Sequence, residues 1–141
     1  MKLFSILFFT AFSFTAAQTV NLQIKGCEDF DKENERLTEI CEAKSFNILF
    51  YNDLNHDYIR NSNRQFTGNA IVQMVILEDG NIGEIKHILN NNKTLATYGT
   101  KVLNNIKADF KKYDLVFEPV LNQETGLPMK FTHIIPVQLQ H

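Results

Sequence analysis

The chain has 141 residues, with 14 lysine and arginine residues against 16 aspartate and glutamate residues, which gives a formal net charge of −2. This length suits one domain. The mild acidic balance argues against a nucleic-acid-binding protein, because phosphates reward clustered lysine and arginine and the chain has no basic stripe.

The N-terminus has the pattern of a secretory signal peptide. Lys2 precedes the apolar run LFSILFFTAFSFTAA, and the small residues Thr15 and Ala17 stand just before Gln18. The run is shorter than the roughly 20 residues that a membrane-spanning helix needs. We therefore predict a signal peptide over 1–17, cleaved between Ala17 and Gln18, rather than an uncleaved anchor. No cysteine stands at the cleavage point, so we expect no lipid or membrane anchor and a periplasmic or secreted protein.

The two cysteines of the chain, Cys27 and Cys41, fall in the part predicted to be exported. An even cysteine count in an oxidising compartment favours a disulfide, so we predict a Cys27–Cys41 bridge within a disulfide-tied segment over 18–65. The alternative is a redox or nucleophilic thiol. The wide spacing and the acidic intervening sequence EDFDKENERLTEI disfavour the thiolate that such chemistry needs.

An amphipathic helix is predicted from Leu37 to about Asn55, because apolar residues recur there at spacings of three and four. The sequence NHDYIRNSNRQFTG that follows has no hydrophobic period and is predicted to be a loop.

Two strands joined by a tight turn are predicted next. The first strand, 70–77, is apolar on both faces and therefore belongs in the middle of its sheet. The second strand, from Ile82 to Leu89, mixes charged and apolar residues and is predicted to lie at an edge. The Asp79-Gly80 pair between them is typical of a hairpin turn that needs positive φ.

A second helix and a third strand complete the predicted core. The helix carries an apolar stripe that includes Gly99, and a glycine inside a helix costs about 1 kcal/mol relative to alanine. Either the backbone approaches the sheet closely at Gly99 or the glycine is merely tolerated. The third strand, MKFTHIIPVQL, contains Pro136, which lacks the N–H that an interior strand needs and so predicts an edge position.

These elements predict an α+β fold. The right-handed crossover rule and a central first strand give a small three-stranded antiparallel sheet of order 2-1-3 with helices on one face, a β-β-α-β core preceded by an N-terminal helix. An exposed third strand is either protected or used for binding. Lys130 and Pro136 are candidates for protection, and the arm from Leu115 to Leu121 is a candidate cover for this edge.

The sequence predicts no catalytic residue, metal or cofactor. No Ser-His-Asp pattern, phosphate loop or paired-carboxylate motif is evident, and His133 is predicted to be a partly buried histidine of the third strand. A zinc site needs three or four converging ligands. The four histidines have no ligand spacing: His56, His87, His133 and His141.

The span from Phe66 to Leu139 resembles the C-terminal domain of TonB, the energy transducer of Gram-negative envelopes. The resemblance lies in TGNAIVQMVILEDGNIGEI, then LATYGTKVLNNI, FEP, TGLP and FTHIIPVQL, in that order. The segment GCEDF to ICEAKSF also resembles a two-cysteine preface of some exported members. The chain departs from the family in having Tyr58-Ile59 where Tyr-Pro is common and Phe117 where Trp is common. It also lacks the inner-membrane helix and proline-rich spacer of a working transducer.

The resemblance implies that 66–141 is a TonB C-terminal-like domain that binds by strand addition. The expected partner is an extended segment of an envelope protein, such as an outer-membrane TonB-dependent transporter. A homodimer formed through the same edge is the alternative, and a small hydrolase or redox protein is a further rival. The predicted partner-binding edge consists of Lys130, Phe131, Thr132, His133, Ile134, Ile135, Val137 and Gln138.

Overall fold

The computed structural model describes residues 21–61, 70–90 and 93–137. The predicted signal peptide, its cleavage point at Ala17 and Gln18, and Gln138 of the predicted edge lie outside the described residues. The helices are α1 (Glu35–Ala43), α2 (Phe46–Asn61) and α3 (Lys93–Tyr113). The strands are β1 (Ile24–Lys25), β2 (Ala70–Ile76), β3 (Ile82–Asn90), β4 (Val116–Phe117) and β5 (Phe131–Val137).

A three-stranded sheet forms the centre of the fold, with the order β3-β2-β5 and antiparallel pairing throughout. The α+β class and the three-stranded antiparallel sheet are confirmed. β2 alternates between buried and half-buried residues, so at β2 one face of the sheet is covered and the other only partly. The buried residues of β2 are Ala70, Val72, Met74 and Ile76.

Helix α3 packs on the covered face of this sheet, and it approaches the sheet closely at Gly99. A Cβ atom built on Gly99 would lie 2.8 Å from Cγ2 of Val137 and 3.5 Å from Cγ1 of Val72. Contacts under 3 Å between such atoms require a neighbour to move, so the glycine is used for close packing rather than merely tolerated. The buried stripe of α3 comprises Leu95, Ala96, Gly99, Val102, Leu103, Ile106 and Phe110.

A second, two-stranded sheet was not predicted. Ile24 of β1 pairs with Phe117 of β4, and Lys25 pairs with Val116. The arm that was a candidate cover for the third strand therefore pairs with β1 instead of β5. Further along the arm, Leu121 forms an isolated bridge that closes a turn before β5 begins.

The predicted single N-terminal helix is wrong in its extent, because two helices occupy that region. Asn34 caps the start of α1 by accepting a hydrogen bond from the Leu37 N–H at 3.0 Å. Lys44 then adopts φ of 67°, in the left-handed region, and ends α1. Ser45 follows in an isolated bridge, and α2 starts at the next residue. A left-handed residue after a helix is usually glycine, so a lysine there gave no sequence signal.

Arg36 ties α1 to both other helices. Its guanidinium donates to both carboxylate oxygens of Asp53 in α2, at 2.9 and 2.7 Å, and its Nε donates to Asp109 in α3 at 2.8 Å. The hydrogen bond to Asp53 raises the pKa of Arg36 further above its usual range, although burial acts against this. Paired, bidentate arginine–carboxylate contacts fix geometry as well as charge, so Arg36 sets how α1 lies on α2 and α3.

The predicted Cys27–Cys41 disulfide is confirmed, with Cα atoms 5.7 Å apart. It joins the segment after β1 to α1. Because α1 is in turn held by Arg36, the bridge connects the small β1–β4 sheet to the helical layer. Neither cysteine is free.

Candidate binding edge of the sheet

The three-stranded sheet has two edges, β5 and β3, and they differ in regularity. β5 pairs with β2 in one continuous register from Ala70↔Val137 to Ile76↔Phe131. The register of β3 on β2 shifts twice. Bulges protect sheet edges by twisting them away from incoming strands. β5 is therefore the more regular of the two edges.

A proline identifies which backbone groups of β5 face outwards. Residues opposite each other in an antiparallel pair alternate between hydrogen-bonded and non-hydrogen-bonded positions, and proline fits only the second kind. Pro136 lies opposite Ile71, and its carbonyl accepts a hydrogen bond from the hydroxyl of Tyr51 at 2.7 Å, outside the sheet ladder. By the same alternation, the N–H and C=O groups of Thr132 and Ile134 point away from β2.

Among the residues that the structure describes, no backbone group of a loop, turn or helix cap forms a hydrogen bond to these outward groups. The backbone hydrogen bonds that the structure describes outside helices and strands include none to Thr132 or Ile134. Both side chains are also exposed, Ile134 to 49%. An edge with open donors and acceptors is a template for another strand.

The other predicted edge residues have different places. Lys130 is exposed directly before β5, whereas Phe131 and His133 are half-buried. Ile135 and Val137 are buried on the covered face. These four side chains, of Phe131, His133, Ile135 and Val137, hold β5 on the core. Apart from Lys130, the described candidates that present both side chain and backbone to the outside are therefore Thr132 and Ile134.

The sheet face that carries Thr132 and Ile134 is partly apolar. Opposite them, on β2, lie the half-buried Val75 and Gln73. Side chains from an added strand would alternate between this face and the covered face. An incoming segment would therefore place every second side chain on the sheet face that carries Ile134.

Helix α2 contacts β5 through residues that sequence reasoning missed. Besides the Tyr51 hydrogen bond, the Phe46 ring lies edge-on to the His133 ring with centroids 5.3 Å apart. Burial raises the pKa of Tyr51. Tyr51 and Pro136 are 85 residues apart in sequence. Helical periodicity predicted that α2 packs against another part of the fold, but it did not indicate that the contact would be with β5.

The burial of His133 makes the stability of the protein sensitive to mild acid. Burial lowers the pKa of His133, because the charged imidazolium loses hydration between Phe46 and Phe131. The unfolded chain therefore binds this proton more readily than the folded chain. The contribution of neutral His133 to stability should be fully present above the pKa of about 6.5 in the unfolded chain. It should be lost as the pH drops through that value towards the lower pKa in the folded chain.

Denaturant titrations at about pH 7.5 and about pH 5.5 measure this effect, in a window above the usual carboxylate pKa values. We expect His133→Phe to reduce the loss of stability at the lower pH. His87→Gln, which removes an exposed histidine from β3, is the matched control and should retain the wild-type loss. The same pH dependence in the wild type and in His133→Phe would contradict the assignment.

A cleft lies among the three helices, away from the edge. Its volume is about 960 Å³, and its lining includes Glu39, Glu42, Asp53 and Asp109 around Arg36. Three of these carboxylates, those of Glu39, Asp53 and Asp109, accept hydrogen bonds from Arg36. In residues 21–61, 70–90 and 93–137, no three or more His, Cys, Asp or Glu side chains are arranged so that they could hold a metal ion.

Within the same described ranges, no helix combines the length and apolar character that crossing a membrane requires. A scan against protein-family models gave no match for this chain, and searches of the curated proteins and of the solved structures gave none either.

Proposed function

We propose that this protein is an exported, non-enzymatic interaction domain that binds an extended segment of an envelope protein by strand addition to β5. The observation that carries the proposal is the open outer edge of β5 at Thr132 and Ile134. Main-chain hydrogen bonds to such an edge supply affinity, and the alternate side chains of the added strand supply specificity.

The comparison of the two sheet edges supports β5 over β3. Beyond its two register shifts, β3 has the carbonyl of Gly83 engaged by Lys107 Nζ at 2.9 Å, and it exposes Glu84 and Lys86. Charged residues and bulges are the usual protection of an edge strand. β5 has no such bulge, and its exposed positions are mostly uncharged.

The resemblance of 66–141 to the TonB C-terminal domain, together with the strand order 2-1-3, supports a particular class of partner. It favours an outer-membrane TonB-dependent transporter or another envelope protein with an extended segment. It also favours a location in the periplasm or outside the cell, after cleavage between Ala17 and Gln18.

The test is capture of partners from detergent-solubilised host envelopes, read by mass spectrometry, with two variants at one position. Thr132→Pro removes an outward N–H from the edge, whereas Thr132→Val changes the side chain and keeps the N–H. We expect the wild type and Thr132→Val to enrich the same envelope protein and Thr132→Pro to lose it. Equal capture by a folded Thr132→Pro would contradict strand addition.

Self-association through β5 is the second candidate, because the same open edge would accept the β5 strand of another copy. The exposed apolar side chain of Ile134 favours it. Sedimentation measurements over a range of protein concentrations distinguish the two. A mass that rises towards the dimer in the wild type, and stays monomeric in Thr132→Pro, would favour self-association.

A further inference from the structure

The C-terminal end of the outer edge of β5 is closed by helix α2. Pro136, the last outward position of the strand, has no N–H to donate, and its carbonyl already accepts the Tyr51 hydroxyl at 2.7 Å. At the two outward positions before it, Thr132 and Ile134, no described loop, turn or cap backbone group bonds to the N–H or the C=O. The edge is therefore open at Ile134 and closed two residues later, at Pro136.

Tyr51 is held in place by a row of aromatic side chains. Its ring lies edge-on to Phe50 with centroids 5.1 Å apart, and Phe50 stacks on Phe46 at 5.4 Å. Phe46 in turn contacts His133 of β5. Phe46 and Phe50 are almost completely buried. Because these rings anchor α2 next to β5, the hydroxyl of Tyr51 is positioned by the core and not by a mobile surface side chain.

We propose that Tyr51 determines the length and register of the bound strand by occupying the carbonyl of Pro136. This inference rests on the proposed function. A partner segment pairs with Thr132 and Ile134 and gains no further backbone hydrogen bond beyond Ile134. The preferred ligand is accordingly a short extended segment that pairs with these two residues, and it needs no further paired residues at the Pro136 end.

Removing the Tyr51 hydroxyl should open the closed end. In Tyr51→Phe the ring contacts remain, but the Pro136 carbonyl becomes available to an N–H of a longer strand. One additional backbone hydrogen bond corresponds to roughly a three- to tenfold gain in affinity. The matched control is Tyr113→Phe, which removes the same group from another half-buried tyrosine, at the end of α3.

The probe is a short peptide selected from a displayed random library against the wild-type protein, together with two versions lengthened by an alanine pair at either end. We expect the short peptide to bind the wild type, Tyr113→Phe and Tyr51→Phe equally. One lengthened peptide should bind Tyr51→Phe roughly three- to tenfold more tightly than it binds the wild type or Tyr113→Phe. Near-ultraviolet circular dichroism checks that the variants retain the fold.

Two unfavourable outcomes are distinguishable by amide hydrogen exchange. If a peptide slows exchange at Thr132 and Ile134 but Tyr51→Phe shows no preference for a lengthened peptide, the assignment of Tyr51 is wrong and strand addition stands. The same holds if each lengthened peptide binds the wild type as tightly as it binds Tyr51→Phe. If no selected peptide slows exchange at Thr132 and Ile134, both the proposed function and this inference fail.

Discussion

Replacing Gly80 with alanine is expected to lower the free energy of unfolding by about 3 kcal/mol or more, because two separate costs add. Gly80 adopts φ of 88° in the turn between β2 and β3, a conformation that side chains disfavour. A Cβ atom at this position would also overlap the carbonyl oxygen of Phe117 in β4. The turn and β4 are joined there by a hydrogen bond from the Phe117 N–H to the Gly80 carbonyl at 2.9 Å.

Relieving the overlap would require the turn to move away from β4. That movement would weaken the Phe117 hydrogen bond and disturb Phe117 itself, which is completely buried against Phe46 and Phe110. The expected loss is therefore larger than for an ordinary turn glycine. Gly80 connects the three-stranded sheet to the two-stranded sheet, so the effect should reach both.

Chemical denaturation of Gly80→Ala measures the loss, and Gly126→Ala is the matched control. Gly126 also has positive φ, 75°, but nothing lies within 4 Å of a Cβ built on it. The control should lose only the conformational part, about 1 kcal/mol. Equal losses in the two variants would mean that the approach to Phe117 is not tight.

Loss of the Cys27–Cys41 disulfide is expected to lower the free energy of unfolding by about 3 kcal/mol. The bridge spans a sequence separation of 14, and it restricts the unfolded chain more than the folded one. In the folded state it joins the segment after β1 to α1, whose Cys41 is buried at 8% exposure. Reduction would therefore free that segment from the helical layer.

Denaturation with and without a thiol reductant tests this prediction. The double variant Cys27→Ala/Cys41→Ala supplies the control, since it should resemble the reduced wild type and should not respond to reductant. A denaturation midpoint of the wild type that is unchanged by complete reduction would contradict a stabilising bridge.

The larger elements of the fold could be predicted because their sequences carry a period. The run over 70–77, apolar on both faces, and the Asp79-Gly80 turn predicted β2 and its hairpin, and the stripe around Gly99 predicted α3. The edge placement of Pro136 followed from its missing N–H alone. In each case a local physical constraint determined the structure, so no knowledge of distant contacts was needed.

The remaining features depend on contacts that no local pattern encodes. β1 and β4 have two residues each, too few for an alternation to be recognised. The break between α1 and α2 uses a left-handed Lys44 where glycine would have been the signal. The closing contact of Tyr51 on Pro136 arises only when α2 and β5 are brought together, and the same holds for the Arg36 contacts among three helices.

Amide hydrogen exchange at β5, measured by NMR with and without the captured partner segment, tests strand addition most directly. In the free protein, the outward amides of Thr132 and Ile134 should exchange much faster than the inward amides of His133 and Ile135, which pair with β2. Binding should slow Thr132 and Ile134 selectively. Protection of all four amides in the free protein, or unchanged exchange at Thr132 and Ile134 in the complex, would contradict an open edge that accepts a strand.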